Sequence, residues 1–281
     1  GEYRALTKHY KGEIITISKD SPTIINPLDL MGHDFVEKRL SLMDLFKVMF
    51  EDLSEIQKAI LDKALKETYA KKGITIDKWQ GKTPPTFSDL YKVLTQMDKK
   101  ASAMEKATFR ALLNRFAMYT KGGVFGFMDR QTKIDFNNDF VCFNIGSMPK
   151  QVKPVVMFLI LDYVYMKMKE NKDRKLLVVD EAWTLLRKTE EASYLFEIVK
   201  TCRKFNLGLL LITQDVADLV NSKAGGAVLA NSSYTFLLRQ KPAVIDSVVK
   251  TFHLSEHEKN YLLTADPGSG ILILGTENQE L

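Results

Sequence analysis

The chain has 281 residues, 45% of them hydrophobic and 27% charged, which is enough apolar side chain for a full core and excludes a disordered or fibrous protein. Forty Lys and Arg against 35 Asp and Glu give a net charge of +5, but the charges are interspersed, so pairs such as Lys71-Lys72 and Lys99-Lys100 read as solvated helix faces rather than a nucleic-acid arm. Two cysteines, Cys142 and Cys202, exclude a disulfide scaffold and favour a reducing, intracellular setting, and the longest apolar run, Val155 to Leu161, is far shorter than a bilayer span.

The chain starts at Gly1 with a charged, mixed stretch that has no apolar signal region, so it reads as a piece of a longer polypeptide. Ile14-Ile15-Thr16-Ile17, a Lys-Asp-Ser-Pro turn and Thr23-Ile24-Ile25 predict two short strands. The pattern then changes to the helical period. Phe35 to Phe50 is amphipathic, and Ser54-x-x-Gln57 opens a helix over 55–72 with Ile56, Ile60, Leu61, Ala64 and Leu65 as its apolar stripe and Gly73 as its stop. Thr86-x-x-Asp89, behind Pro84-Pro85, opens the next helix, with Leu90, Val93, Leu94 and Met97 on one face. Ser102-x-x-Glu105 opens another that stops at Gly122-Gly123.

From Phe140 onward, short apolar strands alternate with helices. Strands are predicted at 140–145, 175–180, 208–213, 234–238 and 270–274, with helices near 151–170 and 190–205. Such alternation predicts an α/β fold with a mostly parallel sheet covered by helices on both faces. If the strands at 13–25 join that sheet, residues 1–27 and 122–281 form one domain and residues 28–121 an all-α insertion.

Leu176-Leu177-Val178-Val179-Asp180-Glu181 is a buried-strand pattern that ends in two carboxylates, the Walker B form. A parallel strand delivers its last residues to the carboxyl edge of the sheet, where α/β folds bind ligands. There Asp180 would hold Mg²⁺ through its water shell, and Glu181 would orient and deprotonate an attacking water. An acidic turn after an apolar strand is also common as plain structure. Leu209 to Gln214 ends a second strand in a polar pair 33 residues after Glu181, where the neutral Gln214 amide can sense a terminal phosphate without competing for the metal.

Arg203, in Cys202-Arg203-Lys204-Phe205-Asn206, suits a phosphoryl transition state on a neighbouring subunit, or equally a helix C-terminus. Arg239, after Phe236-Leu237-Leu238, is the second arginine of this kind. His253 and His257 stand four apart but lack a third ligand, so they read as surface histidines rather than a zinc site.

Taken together these motifs resemble the C-terminal motor domain of the type IV secretion ATPases of the TraC kind, the fourth VirB component, within the HerA/FtsK group of RecA-like P-loop motors. The matching text is Glu2-Tyr3 with Leu6, Ile25-Asn26-Pro27-Leu28, Leu176 to Trp183, Arg203-Lys204 with Gly208, Ile212-Thr213-Gln214, and Leu229-Ala230-Asn231-Ser232 leading to Arg239-Gln240. The resemblance implies a RecA-like nucleotide-binding domain with an inserted all-α subdomain, ATP and Mg²⁺ as cofactors, and hydrolysis that powers secretion or conjugation. Asp180 and Glu181 would then take the Walker B roles, Gln214 the sensor role, and Arg203 the intersubunit arginine role in a homo-hexamer.

It also implies a cytoplasmic place at the inner-membrane face, with the coupling ATPase and the inner-membrane and pilus subunits as partners and DNA as a further candidate. Membrane contact would come through those partners or an N-terminal region. The departure is that no Gly-x-x-x-x-Gly-Lys-[Ser/Thr] occurs, and Gly122-Gly123-x-x-Gly126 and Gly268-x-Gly270 lack the lysine of a phosphate cradle. The phosphate loop is therefore expected upstream of Gly1, and the chain alone is expected to bind nucleotide poorly. Two other readings are a HerA-like DNA translocase and a non-catalytic module whose helices at 28–121 dock partners.

Overall fold

The computed structural model describes residues 3–134, 138–182, 189–214, 216–220 and 223–275; Glu2 and Trp183 of the resemblance text lie outside them. The chain divides into two compact units, Gly1–Lys167 and Met168–Leu281.

The first unit opens with α1 (Arg4–His9) and β1 (Glu13–Thr16). Strand β2 (Val141–Asn144) lies parallel to β1 in the register Glu13↔Val141 to Thr16↔Asn144. Parallel neighbours need a crossover rather than a hairpin. Here the crossover carries four helices: α2 (Phe35–Phe50), α3 (Glu55–Ala70), α4 (Phe87–Lys100) and α5 (Ala103–Ala117). Gly12 is required where the strands start, since a Cβ there would strike the Phe140 ring and carbonyl oxygen.

Each helix begins where the sequence signals it. Asp34 accepts from the Val36 and Glu37 amides, and Ser54–Gln57, Thr86–Asp89 and Ser102–Glu105 close capping boxes that satisfy otherwise orphaned N–H groups. Gly73 ends α3 with φ 71°, a left-handed stop that glycine adopts without strain. The buried face of α3 is Leu61, Ala64, Leu65, Thr68 and Tyr69; Ile56, expected in that stripe, is 63% exposed in the first turn. Phe46, Phe87 and Phe116 are fully buried; Phe116 meets Phe46 and Phe50 edge-on and Phe87 at a tilt, Phe87 meets Tyr119 edge-on, and Phe46 stacks on Phe50. Each buried ring contributes roughly 2–3 kcal/mol from area alone.

Thr23-Ile24-Ile25 is not a strand; it makes a single antiparallel bridge, Ile24↔Lys133. The reason is Asn26, which is fully buried and organises a turn. Its amide donates to Pro85 O at 2.9 Å and its side-chain oxygen accepts from Leu28 N–H at 3.1 Å. Helix α6 (Lys153–Glu170) follows β2 and is apolar almost all round, as befits a buried helix. Its buried carboxylate, Asp162, receives His33 Nε2 at 2.8 Å, Ser41 Oγ at 2.9 Å and Lys38 Nζ at 3.2 Å, so α6 grips the start of α2. No helix among the described residues is long and apolar enough to cross a membrane.

In the second unit, β3 (Lys175–Val179), α7 (Thr189–Thr201), a 3-10 turn (Cys202–Phe205) and β4 (Leu207–Leu211) form a parallel βαβ unit. Two short helices, α8 (Val216–Val220) and α9 (Lys223–Asn231), lead to β5 (Tyr234–Leu238). Then α10 (Pro242–Phe252) and α11 (Glu256–Thr264) lead to β6 (Gly270–Leu274), which is antiparallel to β5. Leu237, Ile245, Val248 and Leu262 form a core beneath β5 and β6.

Both faces of the strands were expected to be covered, yet one face of each ladder in this unit is open. Leu176, Val178 and Leu210 are exposed on one, and Tyr234, Phe236, Leu238, Leu272 and Leu274 on the other. Strand alternation puts each set on a single face.

Candidate nucleotide-hydrolysis edge

Because β3 and β4 run parallel with Val179 opposite Leu211, their carboxyl ends reach the same edge. The pairing continues past both strands: Ile212 N–H donates to Val179 O and Ala182 N–H to Ile212 O, each at 2.9 Å. These bonds carry the two strand-end turns side by side and bring together three residues singled out in the sequence. Gln214 Nε2 donates to Glu181 Oε1 at 2.9 Å, and Asp180 Oδ1 accepts from the Glu181 N–H at 2.8 Å. Asp180 and Glu181 are half-buried and Gln214 is exposed. Glu181 adopts φ 54°, a left-handed conformation that costs a non-glycine residue about 1–3 kcal/mol and that functional turns often hold.

The edge thus offers a hard carboxylate oxygen donor, a second carboxylate one residue on, and a neutral amide touching it. Asp180 has the donor type that suits Mg²⁺, which prefers carboxylate and water oxygens. Direct contact between Glu181 and Gln214 was not legible in the sequence, where the 33-residue separation gives no sign of reach.

The arginines lie elsewhere. Arg203 sits on the 3-10 turn before β4, exposed, at the opposite end of a five-residue strand that spans roughly 17 Å. That end is closed by Lys175 N–H to Asn206 O at 3.0 Å and by Asn206 Nδ2 to Lys172 O at 2.7 Å, with Asn206 in the left-handed conformation. Arg203 and Lys204 therefore stand at a helix C-terminal turn, where cations are favoured. Arg239 follows β5 in the other ladder and is exposed. His253 caps the end of α10 with φ 54°, while His257 lies inside α11; the two exposed rings share no helix face.

A family model described as the TraG P-loop domain matches residues 1–268. The chain belongs to this family. Among solved structures, VirB4 of Thermoanaerobacter pseudethanolicus is similar with a TM-score of 0.85 and 26% identity, over 98% of this chain and 77% of that one. The plasmid coupling protein TrwB, in complex with the non-hydrolysable GTP analogue GDPNP, is similar with a TM-score of 0.51 and 12% identity, over 93% of this chain and 66% of that one; at such identity the likeness shows the fold alone. The search of curated proteins returned no match. The TraG-family chain therefore has the α/β fold of RecA-like P-loop ATPases, as its motifs implied.

The residues of this TraG-family chain fit one half of a nucleotide site. The carboxylate half is assembled at the β3–β4 edge. Among the described residues a phosphate cradle is not, and Gly123, Gly126 and Gly270 serve backbone packing. A Cβ on Gly123 would strike the Ala117 carbonyl oxygen, one on Gly126 the Thr120 carbonyl oxygen, and one on Gly270 the Leu237 carbonyl oxygen. Close chain approach accounts for these glycines, and no lysine accompanies them as in a phosphate-binding loop.

Proposed function

We propose that this TraG-family chain is the ATP-hydrolysing motor domain of a type IV secretion or conjugation machine. The contact of Gln214 with Glu181 at the end of paired strands, beside Asp180, is the observation that carries the reading. Asp180 would hold Mg²⁺ through bound water, and Glu181 would take the proton of an attacking water. Mg²⁺, when bound, neutralises phosphate charge. Gln214, uncharged, would meet the terminal phosphate or the water.

The phosphate cradle is proposed to come from polypeptide outside residues 1–281, a reading supported by the apolar faces left open on both ladders of the second unit. Residues 28–121 are proposed as a helical insertion into a nucleotide-binding domain formed by 1–27 and 122–281. Assembly is proposed as a homo-hexamer at the cytoplasmic face of the inner membrane, among the other secretion components. Arg203, roughly a strand length away from Glu181, would then serve a neighbour's site rather than its own. Arg239 would be a second phosphate-facing arginine.

The test is Glu181→Gln in a polypeptide that includes the phosphate loop. ATP turnover is expected to fall by about two or more orders of magnitude while nucleotide binding survives. Unchanged turnover would reject Glu181 as the base.

A further inference from the structure

We propose that Gln214 is a positioning residue for Glu181, holding the carboxylate in its working geometry before any nucleotide arrives. The proposal rests on the reading of Glu181 as the group that activates water. A glutamate side chain has three torsions, and each contact to its carboxylate narrows the positions they can adopt. The bond from Gln214 Nε2 to Oε1, at 2.9 Å, ties one carboxylate oxygen to the end of the neighbouring strand.

The turn itself needs holding as well. Glu181 is in the left-handed region at φ 54°, and the bonds on either side of it are Asp180 Oδ1 to its own N–H and Ile212 O to the Ala182 N–H. Gln214 and Ile212 lie two residues apart on one strand end. Both therefore grip the Glu181 turn, one through the side chain and one through the backbone.

The chemistry of the pair sets the orientation of the amide. An ionised carboxylate only accepts, so Gln214 turns its NH₂ toward Glu181 and its carbonyl away. A primary amide carries two hydrogens. One is used on Glu181, and the second can meet a phosphate or water oxygen brought to the same edge. The same side chain would then fix the distance between base and substrate oxygen, which a residue acting as a sensor alone would not do. Asparagine, one methylene shorter, lacks the reach.

The experiment is side-chain amide NMR of the 281-residue chain, with hydrogen exchange read at single backbone amides. The Gln214 NH₂ pair is assigned by its disappearance in Gln214→Asn. Glu181→Ala is expected to move that pair to the position of a free glutamine. Glu181→Gln, which keeps an oxygen acceptor at the same reach, is expected to leave it displaced. Gln214→Asn is expected to speed exchange of the Ala182 amide about threefold or more, with the β5–β6 amides unchanged as the folding control.

A Gln214 pair that stays put in Glu181→Ala, or an Ala182 amide indifferent to Gln214→Asn, would overturn the proposal. In a hydrolysing parent protein, Gln214→Asn should lower kcat about tenfold with KM little changed; a loss confined to KM would make Gln214 a binding residue only. Failure of the parent to bind or hydrolyse ATP would reject the ATPase reading, and the amide result would still decide the contact.

Discussion

Asp162 shows how much one buried charge can determine. It is 1% exposed and faces Lys38, itself 1% exposed, with His33 and Ser41 as further donors. Removing one partner of such a set strands the others in a low dielectric. Asp162→Ala is therefore expected to cost about 3–5 kcal/mol in urea unfolding, whereas the double replacement Lys38→Met with Asp162→Leu should recover much of that loss. A double variant no more stable than the single one would show that the charges themselves are needed.

Tyr69 supplies a pH dependence. Burial, and then the nearby Asp29 and Asp162 charges, push its phenol well above the usual value of 10, while its hydroxyl donates to Leu28 O at 2.6 Å. Burial also lifts Tyr119 to about 12. In the unfolded chain both ionise near 10, so the unfolded state loses protons first. Their contribution is complete below about pH 10 and is lost as the pH rises beyond it. The urea midpoint should fall from about pH 10 up to about pH 12, and Tyr69→Phe, though less stable at pH 7 for want of its hydrogen bond, should show a shallower fall.

At the scale of elements, local chemistry decides the helices of the first unit. Four predicted starts coincide with observed N-caps because a cap acts over three or four residues and needs nothing from the rest of the chain. Ser54 forms a capping box with Gln57, through bonds of 3.2 and 3.0 Å. Ser54→Ala is expected to cost about 1 kcal/mol in urea unfolding, and Ser54→Asp almost nothing.

Strands were less legible. The apolar alternation at 23–25 looks like the one at 14–17, yet only the latter finds a partner, since the buried turn at Asn26 pulls the former out of register. Asp162 could have been noticed as the lone acid in the apolar run from Val155 to Tyr163, but its partners lie more than a hundred residues away.

For the whole molecule, the open apolar faces have a measurable consequence. Leu176 is 67% and Phe236 56% exposed, in rows whose neighbours are also apolar. Patches of this kind drive association. Residues 1–281 alone should self-associate in sedimentation velocity, and Phe236→Lys or Leu210→Lys should weaken that association about tenfold. A monodisperse monomer at high concentration would show that the faces are compatible with water.

Local patterns were enough for the helices that begin near residues 35, 55, 87 and 103, for strands within a residue or two of 175–179, 207–211, 234–238 and 270–274, and for the family, because periodicity, capping and strand-end motifs are properties of neighbouring residues; the short helices Arg4–His9, Val216–Val220 and Lys223–Asn231 and the helix Pro242–Phe252 were not read from them. That Glu181 and Gln214 touch, that Arg203 stands at the far end of their strand pair, and that Asp162 fastens the start of α2 came from the folded chain alone. Those contacts depend on the register of β3 against β4 and on how α6 packs. Both are set by the sum of many weak contacts between distant parts of the chain, which no local pattern contains.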